Sequence, residues 1–92
     1  MLADPFVGHF EGNVDGVASE LIIYSDSAGV YDGELRSANS RLPMFGSRHG
    51  EFMFGKIGFP DDQFPFRARK VGAILVIERK SDSPLKFFRK TD

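Results

Sequence analysis

With 92 residues, ten phenylalanines and no cysteine, the chain is long enough for one small domain, and that domain must be held by an apolar core. Disulfides and thiolate zinc sites are excluded. A formal charge of −1 argues against a dedicated nucleic-acid binder, and no apolar run is long enough for a transmembrane segment. The charge is uneven, with eight acids against four bases over 1–60 and five against eight over 61–92. This reads as a polar surface with one basic side.

The N-terminal Met1-Leu-Ala-Asp-Pro lacks the basic start and long apolar region of a signal peptide. A soluble chain in the cytoplasm is the simplest expectation, although a mature secreted chain or a domain excised from a longer protein would read the same. The first strand is expected over 6–12, with Phe6, Gly8 and Phe10 on one face and Val7, His9 and Glu11 on the other. Asp15-Gly16 supplies a tight turn. The second strand, 19–24, is apolar on both faces, with Leu21 and Ile23 on one and Ile22 and Tyr24 on the other. A turn over 25–29 leads to 30–37, where Tyr31, Gly33 and Leu35 alternate with Asp32, Glu34 and Arg36, the pattern of a half-buried strand.

After a turn at 37–40 comes a short strand over 41–45, with Leu42 and Met44 inward. Pro43 has no amide hydrogen, so this strand is expected at an edge or interrupted there. A glycine-bounded turn at 46–50 precedes a strand over 51–57, and a Gly-Phe-Pro-Asp-Asp loop follows at 58–62. Strands at 63–70, 73–79 and 85–89 complete the chain. Eight short strands spaced by about eleven residues point to an all-β, antiparallel up-and-down meander, barrel-like, in a single domain over 1–92. The expected core is Phe6, Phe10, Leu21, Ile23, Tyr31, Leu35, Met44, Met53, Ile57, Phe64, Phe66, Leu75 and Ile77.

One figure recurs: a glycine flanked two residues away by large apolar side chains, at Phe6-Val-Gly-His-Phe10, Tyr31-Asp-Gly-Glu-Leu35 and Met53-Phe-Gly-Lys-Ile57. Together with Leu21-x-Ile23, Phe64-x-Phe-x-Ala68, Leu75-x-Ile77 and the closing Phe88-Arg89, this succession resembles the small lipocalin-like (calycin-type) β-barrel domains of bacterial proteins of unassigned function. The resemblance implies an eight-stranded antiparallel meander barrel and supplies no catalytic or binding residues.

Two readings of the figure follow. The glycines could hollow the interior for a small apolar ligand or lipid lined by Phe10, Tyr31, Leu35, Met53 and Phe66, or they could permit twist and bending in a short barrel filled by its own aromatics. The second is favoured. The figure also sets the register: if Met53, Gly55 and Ile57 point inward, Phe52 and Phe54 point outward, as do Ile22 and Tyr24. Contiguous exposed apolar surface marks an interface, so a homodimer or a docked protein partner is expected through Phe52, Phe54, Ile22 and Tyr24.

The histidines, His9 and His49, are too few and too scattered for a metal site, and no catalytic constellation or cofactor motif is present. The bases of the last three strands lack interleaved aromatics for stacking single-stranded nucleic acid. They read as solvated edges and cross-strand partners of Glu78 and Asp82, with an anionic partner or membrane surface as the functional alternative. The expected function is a non-enzymatic interaction module, with an interior-binding mini-barrel as the alternative.

Overall fold

The computed structural model describes residues 4–80 and 82–90. Its strands are β1 (Gly8–Val14), β2 (Val17–Ser27), β3 (Val30–Ser37), β4 (Arg41–His49), β5 (Phe52–Ile57), β6 (Phe64–Val71), β7 (Ile74–Arg79) and β8 (Leu85–Arg89). Each pairs antiparallel with the next, and β8 returns to β1, closing an all-β barrel in meander order. No helix occurs among the described residues, so none is long and apolar enough to cross a membrane.

Period-two alternation builds the interior. Tyr31, Gly33 and Leu35 face inward on β3, as do Met53 and Ile57 on β5 and Phe66 and Ala68 on β6. Twelve of the thirteen expected core side chains are buried, and Phe64 packs half-buried against them. Leu85 and Phe87 join the core from β8. Val76 is buried on the outer face, between its register partners Arg69 and Lys86, whose aliphatic stems can cover it.

The glycines act through close approach between strands. A Cβ at Gly33 would strike the carbonyl oxygen of Ile22, and one at Gly55 would strike that of Phe45. Gly46 lies directly between Gly55 on β5 and Tyr31 on β3. The Met53 side chain packs against Gly46, its Cγ 3.0 Å from where a Cβ would stand.

Expected boundaries need correction at β1, β2 and β4. The first of these strands runs over 8–14, not 6–12, so that Phe6 precedes it. The strand at 19–24 extends to 17–27, because a register shift between Ser25 and Ser27 absorbs part of the expected turn. Ser25 Oγ lies within hydrogen-bond distance of the carbonyls of Ser27 and Val30, bracing that irregularity. The strand at 41–45 continues to His49 and sits inside the closed sheet, neither at an edge nor interrupted. Proline is tolerated because the N and C=O of a strand residue face the same neighbour. The Pro43 carbonyl accepts from Gly58 N at 2.9 Å, just beyond the Met44–Ile57 pair where the β4–β5 ladder stops. The missing donor therefore costs no ladder bond. The turn itself lies at Gly50, which has φ of 65°.

The hairpins divide between two ends. The β1–β2, β3–β4, β5–β6 and β7–β8 connections lie at one. The β2–β3, β4–β5 and β6–β7 turns lie at the other, the N-terminal end, where residues 4–7 enter. The Asp15-Gly16 turn has φ of 51° and 86°, the doubly positive geometry of the tightest hairpins.

Candidate functional site

The outer face of β2 to β5 carries three of the four exposed aromatics of the described strands, the fourth being Phe88 on β8. Tyr24 pairs across to Asp32, Asp32 to Phe45, and Phe45 to Lys56. Phe54, one pair further along β5, is diagonal to Phe45, within reach of an aromatic side chain. Tyr24, Phe45 and Phe54 are 51%, 53% and 43% exposed, a high level for aromatic rings. Phe59 is held beside them by the β5–β6 loop. Gly58 donates to Pro43 O, and Asp62 N donates to Phe59 O at 2.8 Å. A Cβ at Gly58, where φ is 124°, would strike the carbonyl of Asp62. Tyr24, Phe45 and Phe59 wall a shallow hollow of about 530 Å³ that also contains Asp32, Glu34 and Arg41.

The expected interface residues divide here. Phe54 and Tyr24 lie exposed on this face, while Phe52 and Ile22 are half-buried. The Arg67 guanidinium covers the Phe52 ring at 4.7 Å, and Phe54 tilts against Phe52 at 6.1 Å. Ile22 sits between His9 and Glu34. Two strands separate the β2 pair from the β5 pair, and Phe45 on β4 bridges them. Phe45 was legible in the sequence, since Met44 inward puts Phe45 outward, but it lies outside the recurring figure. Phe59 had no periodic signal, because its position is set by the loop.

The alternative interior residues, Phe10, Tyr31, Leu35, Met53 and Phe66, belong to one packed cluster and are at most 7% exposed. Their side chains fill the barrel.

The N-terminal end holds a denser constellation. Phe6, 1% exposed, plugs the barrel and meets the Tyr31 ring edge-on at 5.8 Å. Tyr31 Oη donates to Asp4 Oδ2 at 2.6 Å, and Arg48 Nη1 lies 3.6 Å from Asp4 Oδ1. Burial, reinforced by the Asp4 bond, raises the Tyr31 hydroxyl above its ordinary value. The Arg48 guanidinium stands over the Phe6 ring at 5.3 Å. Arg89 donates to the carbonyls of Val7 and Pro5 at 2.9 and 3.1 Å while lying 4.8 Å from the Phe10 ring. Lys70 follows Phe66 and Ala68 on the inward face of β6 and brings its Nζ to 5.5 Å from the same ring. Burial, and then the charge of Arg89, lower the Lys70 amine.

Elsewhere the charges pair across strands. Glu78 accepts from Arg67 Nε at 2.9 Å and Glu20 from Lys90 Nζ at 3.1 Å, and these bonds lower both carboxyls. Both histidines are exposed. His49 Nε2 is 3.4 Å from Ser47 Oγ, and its ring lies edge-on to Phe54. Among the described residues no three His, Asp or Glu side chains converge.

No family model, curated protein or solved structure matches this chain.

Proposed function

We propose that this chain is a non-enzymatic interaction module that self-associates through the outer face of β2 to β5. The observation that carries the reading is the row Tyr24–Asp32–Phe45–Lys56, aromatic at its centre, with an acid on one neighbouring strand and a base on the other. A twofold axis running along β4 would place Phe45 against Phe45 and Asp32 opposite Lys56 of a second copy. Such a patch is complementary to itself, as an isologous interface requires. Exposed aromatics supply the apolar area, and the flanking charges fix the register. The likeness to small lipocalin-like barrels agrees with this reading without adding a ligand. The interior-binding alternative is weaker, because its five residues fill the space a ligand would need.

Sedimentation velocity across a concentration series tests it. The expected mass rises to that of a dimer, Phe45→Glu keeps the native circular dichroism but stays monomeric, and Lys56→Asp weakens association. Adding Asp32→Lys to Lys56→Asp should restore it. A strict monomer at high concentration overturns the proposal.

A further inference from the structure

We propose that the N-terminal mouth of the barrel binds a small organic anion, a carboxylate or phosphate monoester carrying a ring or short chain, with Lys70 as its central contact. A hollow of about 310 Å³ opens there, walled by Phe6 and Phe52 and rimmed by Arg48, Arg69, Lys70 and Glu51. That volume lies at the small end of ligand sites, so it suits a compact molecule and not a long acyl chain.

The argument rests on Lys70. Lys70 is half-buried at the barrel end, so its ammonium loses part of its hydration while still reaching solvent, where an acceptor can approach it. Among the described residues Lys70 has none. Its neighbours are the Phe10 ring, which attracts a cation weakly, and Arg89, which repels it. Arg89 is itself engaged with the carbonyls of Pro5 and Val7. Arg48 gives its Nε to Gly50 O at 3.0 Å and faces Asp4 at 3.6 Å and the Tyr31 hydroxyl, which leaves it fewer donors. Arg69 meets Glu78 only at 3.8 Å, too long for a hydrogen bond, and keeps its donors for another acceptor. An anion lodged beside Lys70 would receive charge-assisted hydrogen bonds and relieve the like-charge contact. Glu51 is the one acid on the rim. It opposes a dianion more than a monoanion, and its alkyl stem adds to the apolar wall. The rings of Phe6 and Phe52 would flank the apolar part of the ligand, so inorganic phosphate alone should bind poorly.

The test is a titration of the ¹⁵N-labelled protein, followed by amide shifts, with four probes: phenyl phosphate, phenylacetate, 2-phenylethanol and inorganic phosphate. Saturable shifts confined to residues 48–52 and 69–70 are expected with one or both organic anions. The phosphate and carboxylate arms distinguish the two head groups. Lys70→Met should weaken binding about tenfold, the scale of one charge-assisted bond. Arg69→Gln, on the exposed side of the strand, should weaken it less and guards against a folding defect in the first variant. The proposal is overturned if 2-phenylethanol binds as tightly as the anions, if inorganic phosphate matches phenyl phosphate, if Lys70→Met binds like the parent, or if no probe gives saturable shifts.

Discussion

Lys70 and Arg79 stand at opposite ends of the barrel, each the last inward-facing side chain of its strand, and their surroundings differ. Arg79, with a side chain only 12% exposed, donates to Ser83 O at 3.0 Å and reaches Asp15 and Asp82 at 3.5 and 3.8 Å. Only its Nε is buried without an acceptor among the described residues. Lys70 faces an aromatic ring and a second cation. The two ends solve the same problem, closing a short barrel, by different means. One uses local acids and a half-buried Phe64, the other a fully buried Phe6 with the Arg48 guanidinium over its ring. The first is a structural lid. The second leaves Lys70 without an acceptor among the described residues, beside the Phe10 ring and Arg89.

The comparison can be broken first at the aromatic plugs. Phe6→Ala should cost about 3–4 kcal/mol, the usual range for a buried phenylalanine, and Phe64→Ala about half of that. Urea unfolding of the two variants measures the difference, and equal losses would mean that the ends are equally sealed. Tyr31→Phe removes the hydroxyl that holds Asp4 and should cost about 1 kcal/mol. The native state keeps the Tyr31 proton to higher pH than the unfolded chain does. This contribution is therefore complete below the ordinary value of 10.0 and fades as pH rises through the raised one. Thermal midpoints across alkaline pH should show that Tyr31→Phe lacks this decline. The smallest effects sharpen the contrast most. Arg79→Met should destabilise by about 0.5–1 kcal/mol, since it breaks satisfied contacts. Lys70→Met should be neutral or stabilising by a few tenths of a kcal/mol, because a partly desolvated charge beside Arg89 disappears. Equal destabilisation by the two would erase the distinction.

Most of the architecture was legible because its signals are local. Alternation at Tyr31–Leu35, turn chemistry at Asp15-Gly16 and the inward set of Met53 and Ile57 fix strand count, order and facing without long-range information. The length of β4 was hidden because Pro43 reads as a strand breaker. Only the position of Gly58 on the neighbouring chain segment shows that its missing donor is not needed. The outer aromatic face was half visible. Tyr24 and Phe54 follow from period two, whereas their connection through Phe45 depends on which strands become neighbours. The mouth was invisible, because Lys70, Arg48 and Phe6 are distant in sequence and meet only when the barrel closes. Among the bases of the last strands, nothing in the sequence sets Lys70 apart from Arg67 except its parity with Phe66 and Ala68.

The pairing of β8 with β1 has a kinetic consequence. Seven of the eight ladders join neighbours in sequence and need only a turn or a short loop to form. The eighth is short, matching Phe10 with Arg89, Glu11 with Phe88 and Gly12 with Phe87, and it spans nearly the whole chain. Closing so long a loop costs on the order of 2–3 kcal/mol more entropy than closing a hairpin. A sheet grown hairpin by hairpin would therefore zip quickly and seal last at this seam. The side chains that bridge the seam, Arg89 to the carbonyls of residues 5 and 7 and Lys90 N to His9 O at 2.8 Å, would latch in the same final step. The cationic mouth is thus assembled only when folding is complete.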